Sequence, residues 1–186
     1  MNQEHLEICA SEEWRGMLTN LIMPWALADT PLGDDVLEVG PGPGMATDEL
    51  RRSVRALTAV ELDEQLAADL AGRLDGTNVE VVNADATAMP FENDRFTGAV
   101  SFTMLHHVPT SDLQDALFAE VARVVAPGGA FVASDSVASD DLAALHTDDV
   151  YNPVDPRTVE ARLRKAGFAD ADVRWNEFGW AATARI

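Results

Sequence analysis

Three glycines at alternate positions, Gly40-Pro41-Gly42-Pro43-Gly44, directly follow the short apolar run Val36–Val39. Glycine lets a backbone turn sharply and approach a ligand closely, and the amides opening a following helix would face whatever sits there. The spacing narrows the choice of ligand. A dinucleotide fingerprint carries its third glycine three residues after the second, where this chain has Met45. A phosphate-binding P-loop needs Gly-Lys-Ser/Thr, and the sole lysine is Lys165. Two acids then fall where a nucleoside would need them. Glu61 ends the next apolar run, about twenty residues after Gly40, where a carboxylate can accept both ribose hydroxyls. Asp85 follows the run after that, placed to accept from an adenine amine. His106 and His107 are adjacent after a fourth run, and histidine titrates near neutrality, with a pKa of roughly 6 to 7, so it can take a proton from a reacting hydroxyl. Neighbours in extended chain point to opposite sides, so one of the two, His107, is expected to face the ligand.

These residues need a scaffold, and the alternation of patterns supplies one. Val36–Val39, Ala56–Glu61, Val79–Asn83, Gly98–Thr103 and Ala130–Asp135 are compact apolar runs, as strands buried on both faces read. Met45–Val54, Gln65–Leu74 and Ser111–Val125 between them have helical spacing, the last with Thr110 or Ser111 as cap and Pro127-Gly128-Gly129 as a stop. Strand-helix alternation with short connections predicts an α/β fold, a parallel sheet covered by helices on both faces. Near the end, Arg157–Ala166 reads as a helix closed by Gly167, followed by Asp172–Asn176 and Trp180–Arg185. Only Glu177-Phe178-Gly179 separates these last two runs, and a connection so short permits only an antiparallel pair. Residues 11–28 carry Trp14, Met17, Leu18, Leu21, Ile22 and Trp25 as an amphipathic helix. The expected division is a helical cap over residues 1–30 and a core over 31–186, together one domain.

Composition bounds what the domain does. The chain has 186 residues, 47% of them hydrophobic, enough for a core without disulfide or metal. Thirteen basic against 32 acidic residues give −19, and the only basic cluster is Arg162, Arg164 and Lys165, which argues against nucleic acid and anionic membranes as partners. A single cysteine, Cys9, excludes an internal disulfide, and the linear spacing of His5, His106, His107 and His146 matches no zinc motif, so no metal is expected. The acidic N-terminus shows no export-signal features and no run is long enough to span a membrane; with the cysteine usage, the expected compartment is the cytoplasm. The oligomeric state stays open, a homodimer included.

As an ordered set the motifs resemble the class I S-adenosylmethionine-dependent methyltransferases, in particular the small ubiquinone-biosynthesis-like group. The matching pieces are Glu38-Val39-Gly40-Pro41-Gly42-Pro43-Gly44, Val60-Glu61-Leu62-Asp63, Asn83-Ala84-Asp85-Ala86 and Met89-Pro90-Phe91 leading to Arg95-Phe96. Leu105-His106-His107-Val108, Glu120 to Gly129 and Ala166-Gly167-Phe168 complete them. Thr97 departs from the aspartate usual after that phenylalanine. The resemblance implies a Rossmann-like, doubly wound sheet of seven strands in the order 3-2-1-4-5-7-6 with strand 7 antiparallel. It implies S-adenosylmethionine as cofactor and a small-molecule methyl acceptor. Gly40 to Gly44, with Pro41, would hold the methionine portion and Glu38 its amino group; Glu61 with Leu62 and Asp85 with Ala86 would hold ribose and adenine; Phe102 and Thr103 would line the floor. His107 or His106 would be the base, oriented by Asp135 from the neighbouring strand. Trp14, Met17, Trp25 and residues 136–155 could roof the pocket, although packing alone explains them as well. The alternative reading is a cofactor-binding subunit without catalysis of its own.

Overall fold

The computed structural model describes residues 2–28 and 30–186. Seven strands form one sheet: β1 (Asp35–Val39), β2 (Ala56–Glu61), β3 (Val79–Asn83), β4 (Phe96–Phe102), β5 (Val125–Ser136), β6 (Asp170–Trp175) and β7 (Gly179–Arg185). Their order is β3-β2-β1-β4-β5-β7-β6. The first five are mutually parallel, and β7 runs antiparallel to both β5 and β6, as the three-residue connection requires. Val36, Leu37 and Val39 in β1 and Ala99 and Val100 in β4 are almost wholly buried, which is why these runs lack polar alternation.

Helices cover both faces. On one side α6 (Ser111–Val124) and α8 (Pro156–Ala166) bring Leu117, Phe118, Val121, Val159 and Leu163 against Phe131 and Trp180. On the other, α3 (Met23–Leu27) and α4 (Met45–Leu50) bring Met23, Ala26, Ala46 and Leu50 against Val36, Leu57, Val132 and Ala181. α5 (Glu64–Arg73) packs Leu70 on Ala59. Two further short helices, α1 (Gln3–Cys9) and α7 (Asp140–Leu145), lie outside the elements the sequence predicts.

Several boundaries differ from expectation by a residue or two, and three larger differences have a local reason. The expected helix over residues 11–28 is α2 (Glu12–Met17), a π turn over Leu18–Ile22, and α3. Pro24 has no amide to donate within that stretch, so regular α bonding is interrupted there. α4 stops at Leu50 because the Asn78 side chain takes over the carbonyls of Arg51 and Val54, both at 2.9 Å. Pro127-Gly128-Gly129 lies inside β5, which begins at Val125 immediately after α6, with Gly128 at φ +82° and a register shift opposite Phe96 and Gly98. Thr97, where the motif usually has aspartate, lies in β4, and its hydroxyl accepts from the Asp35 amide at 3.0 Å, tying the start of β1 to β4. Among the described residues no helix is long and apolar enough to cross a membrane.

Candidate active site

Ligands in open α/β sheets bind beyond the carboxyl ends of the strands, where the strand order reverses. Here that point lies between β1 and β4, and a cavity of about 580 Å³ opens there. Its walls include Glu38, Gly40, Pro41, Gly42, Glu61, Leu62, Asp85, Ala86, Phe102, Thr103 and His107.

The glycine loop is held from three sides. The Gly40 amide donates to the Val60 carbonyl at 2.9 Å, carrying the β1–β2 ladder one residue past the strand. The Gly42 amide donates to Glu61 Oε2 at 3.0 Å, while Glu61 Oε1 accepts from the Asp63 amide at 2.9 Å. Arg73 Nη2 reaches the Pro43 carbonyl at 3.1 Å, and its Nη1 grips both oxygens of buried Asp48 at 2.8 Å. Gly40 and Gly42 have φ of +70° and +52°. A Cβ on Gly40 would strike Met104, whereas a Cβ on Gly42 would meet nothing within 4 Å and would project into open space. Gly44 (φ +86°) does not line the cavity; a Cβ there would collide with Leu70 and Arg73, so its part is close packing against α5.

Glu38 is the more deeply buried of the two buried acids lining the cavity, 2% exposed against 8% for Glu61, and its Oε2 has no hydrogen-bond partner. Burial pushes its carboxyl up to about 7, and the carboxylates of Asp48 and Glu61 add to the rise. Asp85 sits exposed at the cavity mouth, its Oδ1 accepting from the Thr87 amide at 2.8 Å and hydroxyl at 2.7 Å. Opposite the glycine loop, Thr103 has φ +52°, an uncomfortable conformation for a β-branched residue, fixed by its amide bond to the Ser134 carbonyl at 2.7 Å.

The histidines differ from expectation. His106 and His107 lie in a 3-10 turn (Leu105–His107), not in extended chain, so strict alternation of their directions does not apply. Asp135 is committed to His106: Oδ1 lies 2.6 Å from the ring Nδ1 and Oδ2 accepts the His106 amide at 2.9 Å. Burial opposes protonation of that ring, but the Asp135 carboxylate outweighs it and leaves the pKa raised. His107 reaches the cavity, while Asp135 bonds His106 instead. Burial, together with the rings of His106, His5 and His146, pulls its pKa down to about 3, far from the 6 to 7 its residue type suggests. A base so weak has little drive to take a proton. Of the two expected pairings with Asp135 the structure forms the one with His106, not the one with His107. Neither His106 nor Asp135 lines the cavity.

Elements the sequence left open also contribute. Trp14 and Leu18 close one side, and Asp149 and Val150 another. Trp14 and Thr103 are shared with a second cavity of about 450 Å³, whose walls include Met17, Trp25, Asp135, Phe178 and Trp180. Spacing alone pointed to neither Cys9 nor Asp149 at the first cavity.

A family model described as "Methyltransferase domain" matches residues 36–129. Over 155 residues the chain is 30% identical to the ribosomal RNA small subunit methyltransferase A of Kineococcus radiotolerans, covering 80% of this chain and 50% of that protein. Over 129 residues it is 31% identical to the demethylmenaquinone methyltransferase of Clavibacter sepedonicus, covering 68% and 49%. The chain spans no more than half the length of the curated relatives it matches. Among solved structures, the PH0226 protein of Pyrococcus horikoshii OT3 superposes with a TM-score of 0.78 at 17% identity, over 100% of this chain and 99% of that one. The matched segment runs from β1 through the start of β5 and so contains the glycine loop, both strand-end acids and the histidine turn, while the full sheet has the order the resemblance implied. On these grounds the chain belongs to the methyltransferase domain family, in its class I S-adenosylmethionine-dependent form.

Proposed function

We propose that this chain transfers a methyl group from S-adenosylmethionine to a small molecule with an apolar body. What carries the reading is the cavity at the β1–β4 crevice, where open space above Gly42 is flanked by the carboxylates of Glu38, Glu61 and Asp85. These donors fit the cofactor. Glu38 offers a buried carboxylate oxygen without a partner, suited to an ammonium group. Each Glu61 oxygen accepts one backbone amide and keeps a second lone pair for a ribose hydroxyl. Asp85 is placed at the mouth for the adenine amine, with Leu62 and Ala86 beside it.

The cofactor supplies an electrophilic methyl carbon, which an acceptor atom displaces in line. The protein's part is then positional. Holding both partners in line contributes about 7–11 kcal/mol to lowering the barrier. Thr103 stands on the boundary of the two cavities, so its strained backbone fixes the wall across which they meet. Trp14, Trp25, Phe178 and Trp180 give the second cavity an aromatic lining that excludes water and suits an apolar acceptor. No proton relay through His107 or His106 enters this proposal, because the one is too weak a base and the other faces Asp135.

An RNA acceptor is the competing reading, favoured by the names of several relatives. The charge of −19 opposes it. So does the fate of the one basic cluster: Arg162 and Lys165 are spent on Asp115, and Arg164 on Glu160 and Asp170. The test is calorimetric titration with S-adenosylhomocysteine beside NADH, followed by methyl-labelled turnover on a panel of quinol, phenol and amine acceptors and on ribosomal RNA. Labelling of RNA alone refutes the acceptor class. Cofactor binding with no labelling of any acceptor favours the non-catalytic subunit, and binding of NADH alone refutes the whole reading.

A further inference from the structure

At the edge of the first cavity, which His107 lines, the fold gathers every histidine of the chain into one cluster. His5 lies on α1, His106 and His107 on the turn after β4, and His146 caps α7, yet one ring nitrogen from each lies within 4.8 Å of the other three. His5 and His146 have ring centroids 4.4 Å apart, His106 and His107 4.3 Å, and His106 and His146 4.9 Å.

The hydrogen bonds fix what these rings offer. His146 Nδ1 lies 2.6 Å from the Leu142 carbonyl, which can only accept, so that nitrogen carries the proton. His106 Nδ1 likewise faces the Asp135 carboxylate. In both rings Nε2 is therefore the nitrogen left to bind a metal, and in both it is buried without a partner. His5 Nδ1 is buried without a partner as well. Rings anchored through one nitrogen to a carbonyl or carboxylate, with the other nitrogen bare, are what metal-binding histidines show.

Packing points the same way. His5 is the only buried residue of α1, and His146 is the only buried residue between 136 and 153. Helices of seven and six residues are too short to persist alone and need an anchor. Where an apolar side chain would serve, both segments present an imidazole.

We propose that His5, His106, His107 and His146 form a closed four-nitrogen site for a divalent transition metal, zinc by its coordination preference, that fastens α1 and the α7 segment to the turn after β4. Four protein donors leave no open position, the mark of a structural ion. Imidazole suits zinc among the available divalent ions, and Asp135, bonded to His106, and Asp149, whose charge acts on His5, His106 and His107, offset its charge. Asp149 and His107 also line the cofactor cavity, so the clasp would set the position of that wall.

The experiment uses the full chain, stripped with chelator and titrated with zinc. The expected result is one zinc per chain retained through gel filtration, with slowed amide exchange over residues 3–9 and 140–146. The double variant His5→Leu, His146→Phe should lose zinc at least about 100-fold in affinity, beyond the 10–100-fold effect of losing an outer partner. Loss of zinc from the wild type on gel filtration, or undiminished binding by the double variant, overturns the site. Should that variant not fold, ring 15N spectra of the wild type decide. Zinc must shift Nε2 of His106 and His146 while Nδ1 stays protonated, and unchanged ring signals refute the proposal.

Discussion

Under the proposed function Glu38 should couple cofactor binding to protons, and the size of the coupling follows from its burial. Its carboxyl moves from an ordinary 4.5 to about 7, so ionising it inside the folded chain costs roughly 3 kcal/mol. The folded-state value lies above the unfolded one. The folded chain therefore holds more protons than the unfolded chain between about pH 4.5 and 7, and its stability falls as pH rises through that window. An ammonium group beside Oε2 would reverse the preference and expel the proton on binding. For a group titrating near 7, affinity for S-adenosylhomocysteine at pH 5.5 should then be about 25-fold weaker than at pH 7.5. Calorimetry in two buffers of different ionisation enthalpy reads the released proton directly. Glu38→Gln should flatten the pH profile, abolish proton release and weaken binding at pH 7.5 by about 1.5–3 kcal/mol. The same variant should melt higher than wild type at pH 8 without ligand, because the costly charge is gone. If Glu38→Gln keeps both the slope and the affinity of the wild type, the ammonium does not sit at Glu38 and the cofactor's orientation in the cavity is wrong.

Glu61→Gln replaces a carboxylate that holds two loop amides, so cofactor affinity should drop by about 1.5–3 kcal/mol in calorimetry, with faster amide exchange at Gly42 and Asp63. Gly42→Val puts a β-branched side chain at φ +52° and into open cavity space, and should abolish detectable S-adenosylhomocysteine binding; retained affinity would show that the ligand does not approach the loop. Thr103→Asn relieves part of a left-handed strain worth about 1–2 kcal/mol, and should raise the melting temperature by a few degrees in a thermal scan.

The sheet was legible because its signals are local. Each of the first five strands reads as a compact run of four to six residues, and the three-residue connection Asn176-Glu177-Phe178 forces β7 to reverse whatever surrounds it. That the candidate site residues Gly40, Gly42, Glu61 and Asp85 share one cavity was legible for a related reason: they sit at strand ends, and the parallel order alone brings strand ends together. Glu61 nonetheless does more than its position foretold. A strand-end acid looks dispensable to the fold, but its two oxygens tie the glycine loop to the residue after β2. The roof was not legible, since Trp14 and Leu18 satisfy an ordinary amphipathic pattern whether they face a core or a cavity. Nor was the histidine arrangement. Alternation in an extended chain predicts opposite directions for His106 and His107, and the 3-10 turn that cancels the rule has no distinguishing residue in Leu105-His106-His107.

The segment from Phe102 to His107 explains why these features belong together. Phe102 ends β4 inside the apolar layer on one face, and Thr103 turns the chain at positive φ between the two cavities. Met104 then slides under Gly40, filling the space a side chain there would need, so the glycine is required by its neighbour across the crevice as much as by any ligand. Two residues later the same turn delivers His106 to Asp135, the end of the adjacent strand β5. A shift of this segment would therefore move the cofactor floor, the shared wall of the second cavity and the histidine cluster at once. Its backbone is fixed at both ends, by the Thr103 amide on the Ser134 carbonyl at 2.7 Å and by the Asn152 amide on the His106 carbonyl at 2.8 Å. A strained turn pinned this way has one conformation available, and for a reaction that depends on alignment a single conformation is what the site needs.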